Sequence, residues 1–225
     1  MSGELTIRPA QPGDRPDMQR ICAHTWDWGD YVPEAWDMWL ADEGGGLTVG
    51  EIGGRVIAVS KATFQPGGQV WLEGMRVDPN YRQRGVAGRF LEYNLAEARR
   101  RGARVVRLGT GGDNTPVHKM MARAGMERIG VYVLWLAEPL PGGPRPTILA
   151  ENHATLVQSF LAGSPVLVHT RGLYSFDWAW TELSTGRVAQ LLAAGQMAGM
   201  LWIVGYSPCR ATLTRRSALR SNDSR

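Results

Sequence analysis

The hydrophobic pattern of the first eighty residues predicts a strand, two short helices and a meander of three strands. Leu5-Thr6-Ile7-Arg8 alternates as a short strand does. Asp14 can cap the helix that follows, and a second helix is expected over residues 33–42, before three consecutive glycines. The expected strands of the antiparallel meander are residues 47–52, 55–64 and 70–77, which are separated by turns rich in glycine.

A longer amphipathic helix follows the meander. Apolar residues at positions 86, 90, 91, 95 and 98 form one stripe of a helix over residues 86–101, which Gly102 can end. Residues 104–108 then form a strand, and because a helix joins it to the strand 70–77, the two strands should be parallel. A helix over 115–123 and a strand over 129–136 complete the order β-α-α-β-β-β-α-β-α-β.

Three prolines and two glycines within residues 140–146 predict a linker after a first domain of residues 1–139. Residues 147–209 then form a small α/β unit, with helices over 147–161 and 184–195 and strands over 166–170 and 173–180. That order is compatible with a degenerate half copy of the first domain. The unit is small for an independent core, so it should pack on the first domain or on a partner chain, as in a homodimer.

Composition indicates a soluble cytoplasmic protein. Hydrophobic residues make up 44% of the chain and nine residues are tryptophan, which is enough for a folded core. There is no run of 18 apolar residues, which argues against a membrane protein, and the N-terminus lacks the pattern of a signal peptide. Cys22 and Cys209 have neither metal-ligand spacing nor a disulfide framework, so no metal site is expected.

The net charge of +4 comes from the end of the chain. Residues 210–225 hold five arginines and one aspartate, and the acidic and basic residues of the rest balance. The folded part therefore lacks the basic surface of a nucleic-acid-binding protein. The basic tail has almost no apolar periodicity, which is typical of a frayed end, and a nucleic-acid-binding arm is the alternative.

The stretch Arg82-Gln83-Arg84-Gly85-Val86-Ala87-Gly88 predicts an anion site. It lies where the long helix begins, and the first turn of a helix has unpaired amides and the positive end of the helix dipole. Two common phosphate loops are excluded. No lysine follows either glycine, as the ATP/GTP loop requires, and the dinucleotide fingerprint needs three glycines and an early βαβ unit.

Arg82-x-x-Gly85-x-Ala87, between a three-stranded meander and a helix–strand–Asn–helix–strand order, resembles the GNAT superfamily of N-acetyltransferases. The resemblance covers about residues 4–137. It implies an α/β (α+β) GNAT fold, whose mixed sheet has an antiparallel meander and then a parallel strand–helix–strand unit. It also implies acetyl-CoA as the cofactor, with its pyrophosphate on the amides of the loop.

The resemblance assigns roles to single residues. The amide of Val77 would polarise the acetyl carbonyl, and Asn114, which is also placed to cap a helix, would begin a second segment in contact with CoA. The cofactor-binding residues it implies are Met75, Val77, Arg82, Gln83, Arg84, Gly85, Val86, Ala87, Gly88 and Asn114.

One position departs from the family pattern. Many members carry a tyrosine about seven residues after that asparagine, which protonates the departing thiolate, whereas this chain has Met120-Met121. His118 and Tyr132 are the nearest alternatives by sequence, although such residues are more often structural. We expect a thiolate protonated by water, without a dedicated acid.

Glu73 is the leading candidate for a general base, because an ammonium acceptor must lose a proton before it reacts. A strict alternation places Glu73, Met75 and Val77 on one face of their strand. The alternative is a solvated Glu73 paired with an arginine. Weaker candidates, from the segment that lines the acceptor pocket in the superfamily, are His24, Asp27, Asp30 and Tyr31.

Glu73-Gly74-Met75-Arg76-Val77, Pro79 and the loop also resemble the histidine N-acetyltransferase branch found in vertebrates, as does Asp30-Tyr31-Val32-Pro33. This resemblance implies a small-molecule amine as the acceptor, amino acids included, without selecting histidine. The segment that holds Trp26, Trp28, Tyr31, Trp36 and Trp39 is then either an apolar lid over the acceptor or, for most of these rings, ordinary core. The alternatives are an acetyltransferase for protein N-termini or lysines and a non-catalytic acyl-CoA-binding module.

Overall fold

The computed structural model describes residues 3–27, 29–133, 142, 146–176 and 178–199. The chain divides into two compact units. The first comprises Met1–Ile129 and Ser175–Thr181, and the second comprises Gly130–Tyr174 and Glu182–Arg225. The predicted basic tail, Cys209 and most of the predicted linker lie outside the described residues.

The first unit is built on a five-stranded sheet in the order β1-β2-β3-β4-β5. Its elements are β1 Thr6–Pro9, α1 Arg15–Cys22, α2 Val32–Leu40, β2 Leu47–Ile52, β3 Arg55–Gln65, β4 Gln69–Val77, α3 Val86–Arg100, β5 Val105–Leu108 and α4 Thr115–Arg123. Strands β1 to β4 are antiparallel neighbours, and β5 pairs with β4 in parallel. The meander and the parallel pair are thus confirmed.

Hydrophobic residues cover both faces of this sheet. On one face, α1 and α2 pack their buried side chains, among them Met18 and Trp36, against Val49 and Val59. On the other face, Phe90 of α3 packs against Ile57 and Ala58, and its Leu91 and Ala98 pack against Val70 and Leu72. The apolar stripe predicted for the long helix is the one that α3 buries.

Two local predictions for the first unit need correction. Asp14 occupies the capping position of α1 but makes no capping hydrogen bond, because its carboxylate accepts from Arg8 (2.8 Å) and from the amide of Gln11 (2.7 Å). The strand expected over 129–136 is not found in its described part, residues 129–133, and the rest lies outside the described residues.

The second unit has a core of its own, in which Val157 packs with Val188, Leu191, Leu192 and Met197. Elements that lie wholly or partly in this unit are β6 Thr147–Ile148, α5 Ala154–Ala162, α6 Pro165–His169, β7 Leu173–Phe176, β8 Ala179–Glu182, α7 Thr185–Ala193 and β9 Ala198–Gly199. Strand β6 pairs antiparallel with β9, and β7 and β8 form a second two-stranded sheet.

The predicted order of the second unit was wrong in three places. Residues 166–170 are not a strand, because Ser164 caps a helix that starts at Pro165, a residue suited to a first helical turn. Residues 147–161 contain a short strand before the helix, and the aromatic segment 173–180 is divided between two strands. The interpretation of this unit as a half copy of the first domain depended on a strand over residues 166–170, where the structure has a helix. Helix α7 agrees with the prediction.

Candidate active site

The sheet opens between β4 and β5. The two strands pair only over Gln69–Leu72 and Val105–Leu108, whereas β4 continues to Val77. The amide of Asp78 donates to the carbonyl of Ile57 (2.8 Å) in β3. Because successive amides of a strand point to opposite sides, the amide of Val77 points away from β3, into the opening. It is a backbone donor placed where the sheet has split.

A β-bulge lies at the start of this opening. Lys61 is opposite Glu73 and Val59 is opposite Arg76, so Gly74 and Met75 together face the single residue Ser60. Gly74 has a φ of +63°, which glycine adopts without strain. The extra residue breaks the alternation of side chains along β4.

The bulge corrects the predicted face of Glu73. Met75 and Val77 pack on the α3 side, with Ala58 and Val86. Glu73 lies on the opposite side, where it accepts a hydrogen bond from Thr63 (2.5 Å). The strand therefore presents the side chains of Met75 and Val77 on one face of the sheet and the carboxylate of Glu73 on the other, and the single-face prediction was wrong.

Gly74 also makes room for the ring of Trp39. A Cβ atom on Gly74 would lie 2.7 Å from the nearest ring carbon, whereas one on Gly54, which has a φ of +79°, would meet nothing within 4 Å. We expect Gly74→Ala to lower the free energy of unfolding by about 3 kcal/mol, through strain and overpacking together. Gly54→Ala has the strain alone and should cost about 1 kcal/mol. Urea unfolding of both variants measures the difference, and equal costs would show that the contact with Trp39 adds nothing.

The predicted phosphate loop connects β4 to α3 by way of a short 3-10 turn, Pro79–Tyr81. Gln83 (φ +59°) and Gly85 (φ +77°) both have left-handed backbones, and the first hydrogen bond at the start of α3 runs from the amide of Arg89 to Gly85. In the described part of the chain, the amides from Gln83 to Gly88 meet no acceptor. Such a cluster of unpaired donors at a helix N-terminus is suited to an anion.

Buried Asp78 fixes the approach to the loop. Its carboxylate accepts from the amide of Asn80 (2.9 Å) and forms an ion pair with Arg20 of α1. Burial alone would raise the pKa of Asp78, but these hydrogen bonds lower it, so the carboxylate stays ionised. No pattern in the sequence indicates a role for Asp78 or Arg20.

A groove of about 780 Å³ runs from this loop between α3 and α4. Its loop end includes Val77, Arg82, Gln83, Gly85 and Gly88, and a Cβ atom on either glycine would meet nothing within 4 Å. The remaining lining residues are Tyr81, Val86, Ala87, Leu91, Glu92, Leu95, Arg99, Pro116, Met120, Arg123 and Ala124. The unpaired amides thus adjoin a cavity large enough for a cofactor.

Not every predicted binding residue lines the groove. The guanidinium of Arg84 lies over the ring of Tyr81, 5.3 Å from its centre, and Arg84 is not a lining residue. Asn114 precedes α4 and donates to the hydroxyl of Thr110 (2.9 Å), without capping the helix. Its contact with a cofactor stays a prediction. Of the two methionines, Met120 and Met121, that stand where a tyrosine would be common, Met120 lines the groove.

Glu73 has the environment of a base. Burial raises the pKa of its carboxyl group, and the nearby charge of Asp42 adds to this, whereas the hydrogen bond from Thr63 and the charge of Lys61 oppose it. Buried Lys61 is itself paired with Asp42 and donates to the carbonyl of Gly45 (2.5 Å). In the described structure Glu73 is not paired with an arginine, so the alternative of a solvated Glu73 in an ion pair with an arginine is not observed.

The tryptophan-rich segment, residues 26–39, divides between core and site. Trp36 and Trp39 are buried, as the interpretation of these rings as ordinary core predicts. Trp28 lies outside the described residues. Trp26 and Tyr31 are partly exposed and flank Arg76, whose guanidinium lies 4.5 Å and 5.2 Å from the two ring centres. The hydroxyl of Tyr31 accepts from the amide of Gly74 (3.2 Å), so this segment reaches the bulge.

Asp30 and Arg76 form an ion pair that connects the segment to β4. The pair is bidentate, with distances of 2.7 Å and 3.1 Å. Burial would raise the pKa of Asp30, but the hydrogen bonds from Arg76 and from the amide of Val32 lower it. The ionised carboxylate of Asp30 therefore anchors this segment to β4. His118 bonds to the carbonyl of Gly111 and does not line the groove, and Tyr132 belongs to the second unit.

Comparison with known proteins agrees with this geometry. The sequence model described as "Acetyltransferase (GNAT) family" matches residues 16–126. These residues belong to the GNAT family of acetyltransferases. The GNAT match contains β4, the loop, α3 and α4, which together form the groove. A search of curated proteins finds no match.

Solved structures share the fold of the GNAT domain at low identity. A transcriptional regulator from Bacillus halodurans C-125 is 19% identical with a TM-score of 0.54, and the match covers 60% of this chain and all of that one. An aminoglycoside N-acetyltransferase, AAC(6')-Iy in complex with CoA, is 20% identical with a TM-score of 0.50, covering 62% of this chain and 98% of that one.

The GNAT family uses acetyl-CoA, and the residues of this site fit it. The amides of the loop are suited to the pyrophosphate, and the unpaired edge of β4 is suited to the amide-containing pantetheine arm. In the described residues, no helix is long and apolar enough to cross a membrane.

Proposed function

We propose that the protein transfers the acetyl group of acetyl-CoA to the primary amine of a small molecule, in the class that includes amino acids. The observation that carries the proposal is the placement of Glu73. A partly buried carboxyl group with a raised pKa lies directly before the bulge, on the side of β4 opposite to the groove. A donor and an acceptor could then approach the opening from different sides.

Each residue of the proposed site has one task. Acetyl-CoA supplies the activated acyl group. The amides of the loop, with Arg82, hold its phosphates, and the backbone of Met75 and Val77 aligns its arm along β4. The amide of Val77 donates a hydrogen bond to the acetyl oxygen, where charge develops as the acceptor attacks directly within a ternary complex. Glu73 takes the proton of the acceptor ammonium, directly or through water.

A small acceptor is supported by the surroundings of Glu73. Trp26, Tyr31 and Arg76 are held together next to the bulge, and because Asp30 neutralises Arg76, what they offer an acceptor is aromatic surface. The local resemblance to the histidine N-acetyltransferase branch favours the same class. All of these residues lie within residues 1–139, which we propose as the catalytic domain. An acetyltransferase for protein N-termini or lysines is the second candidate.

The experiment is an acetyl-CoA turnover assay with the full chain. Free thiol is measured while the acceptor is varied among free amino acids, other small amines and peptides with a free N-terminus or lysine. We expect thiol release with at least one small amine and an acetylated product of matching mass. Turnover of peptides alone would support the second candidate. CoA binding without turnover on any amine would instead indicate a non-catalytic acyl-CoA-binding module.

A further inference from the structure

Lys61 is a buried charge next to the proposed base. Its side chain is 1% exposed, and lysine is almost never fully buried unless its ammonium group is paired. The register of the sheet places Lys61 directly opposite Leu47 of β2 and directly opposite Glu73 of β4. Because opposite residues of antiparallel strands share a face, Lys61 and Glu73 both lie on the face that α1 and α2 cover, where Leu47 is part of the core.

The turn after α2 holds the ammonium group of Lys61. This group forms an ion pair with Asp42 and donates a hydrogen bond to the carbonyl of Gly45 (2.5 Å). The carboxylate of Asp42 also accepts from the amide of Gly44 (3.0 Å), so its position is fixed by the turn. The side chain of Asp42 is 35% exposed, so one partner of the ion pair meets solvent and the other does not.

Anchoring this turn does not require a cation inside the sheet. Desolvation offsets much of the attraction within a buried ion pair, and apolar residues of similar volume are often at least as stable. Leu47, directly beside Lys61, shows that an apolar side chain fits in this row of the sheet. What the ammonium group adds is a positive charge one strand away from Glu73, with about 5 Å between the two Cα atoms.

The groups that face Glu73 come from β3 and from both ends of α2. Thr63 donates to its carboxylate (2.5 Å), and no hydrogen bond joins Lys61 to it among the described residues. The positive charge of Lys61 favours the ionised form of Glu73, whereas the negative charge of Asp42 disfavours it. The fourth group is the phenol of Tyr31, and burial raises its pKa, so it stays neutral.

Two arginines of β4 and β5 are bound by other groups. Arg107 of β5 donates to the glutamine that begins β4 (2.7 Å), and Arg76 is in the bidentate ion pair with Asp30. Within the described structure, Lys61 is therefore the cation whose charge acts on Glu73.

We propose that Lys61 and Asp42 are positioning residues for Glu73, and that their opposed charges set the ionisation of this base. The inference rests on the proposed function, because it concerns the base of that reaction. It also predicts that the two members of one ion pair have opposite effects on activity at low pH.

The test uses two variants of the full chain that remove one charge each and nearly keep the shape of the side chain, Lys61→Met and Asp42→Asn. The acid limb of kcat/KM should move to higher pH in Lys61→Met, because the ionised carboxylate loses a favourable charge. It should move to lower pH in Asp42→Asn, because the carboxylate loses an unfavourable one. At high pH, the loss of rate should be far smaller than the roughly 100-fold loss expected for Glu73→Gln.

The control is Asp37→Asn. It removes a carboxylate of α2 that is 79% exposed and pairs with Arg15, and it should leave the acid limb in place.

Carbon-13 NMR of the glutamate carboxyl groups gives a second measurement that needs no turnover. The resonance of Glu73 is the one missing from Glu73→Gln, and its titration midpoint should move in opposite directions in the two variants. If Lys61→Met does not fold, Asp42→Asn decides alone. A midpoint that falls supports the inference, and one that stays or rises overturns it.

Shifts in the same direction, or no shift in either variant, would show that the ion pair only anchors the turn, and would overturn the inference. The proposed function is tested separately. A protein that acetylates no amine loses that function, while the NMR midpoints still decide whether Lys61 and Asp42 control the charge of Glu73.

Discussion

Replacing Glu73 with glutamine should lower kcat/KM by about 100-fold or more, because a positioned base contributes about 10²–10⁴-fold to the rate. The dissociation constant of CoA should not change, since Glu73 lies on the side of β4 opposite to Met75, Val77 and the groove. Glutamine keeps the shape of the side chain but cannot accept the proton. The measurements are steady-state kinetics with the best acceptor and calorimetry with CoA.

The pH profile separates a base from a structural carboxylate. Burial raises the pKa of Glu73, and only the ionised form can accept a proton, so wild-type activity should fall as the pH drops through that raised pKa. Thr63→Val removes a hydrogen bond that lowers the pKa, and it should therefore move the acid limb to higher pH. The exposed Glu34 of α2 gives a matched control, since Glu34→Gln should leave the profile unchanged. Near-normal activity of Glu73→Gln at every pH would contradict the assignment.

Replacing Gly88 with glutamate should weaken CoA binding by about 100-fold or more and stabilise the protein at the same time. Gly88 is the third residue of α3 and lines the groove, and a side chain there enters open space. A carboxylate would lie among the unpaired amides and repel the phosphates, at a cost of about 3 kcal/mol of binding free energy. Replacing a helical glycine and placing an acid in the first turn together stabilise a helix by about 1 kcal/mol.

Gly88→Glu is informative because it is expected to lower the affinity for CoA while it raises the stability of the fold. Calorimetry gives the affinity for CoA, and thermal unfolding without ligand gives the stability. The control is Ala96→Glu, which puts the same charge on α3 at an exposed position outside the groove, and it should leave the affinity for CoA within about twofold. An affinity of Gly88→Glu close to that of the wild-type protein would show that the phosphates bind elsewhere.

The sequence was informative wherever local chemistry determines the backbone. Glycine pairs at 53–54 and 67–68 adopt positive φ in the two turns of the meander, and the helix between β4 and β5 made a parallel pair the expected outcome. The loop at 82–88 was found for the same reason. Its small residues and its place before an amphipathic stripe are both visible in the sequence.

The bulge at Gly74 shows how a local signal can be misread. A glycine within an apolar strand often indicates a bulge, and strict alternation, which puts Glu73 on one face with Met75 and Val77, does not hold across it. In the second unit, the apolar residues of 166–168 fit a strand and a short helix equally well. The cap at Ser164 and the proline after it decided for the helix.

Tertiary contacts account for most of what could not be predicted. The Asp30–Arg76 pair joins residues 46 positions apart, and the Arg20–Asp78 pair joins residues 58 apart. No periodicity or spacing in a single sequence connects such residues. The same holds for the groove between α3 and α4, whose walls are adjacent only because their preceding strands pair.

The open edge of β4 has a consequence for the behaviour of the protein in solution. Past Leu72, that edge has no strand partner among the described residues, so it displays donors and acceptors in strand geometry. Exposed edges of this kind are templates onto which another polypeptide can add, which is a common route to self-association. A cofactor whose arm carries amides can occupy the same row of groups. The bound ligand would then act as a removable sixth strand. It would cover the unpaired edge of β4 and so oppose self-association, in addition to its role in acetyl transfer.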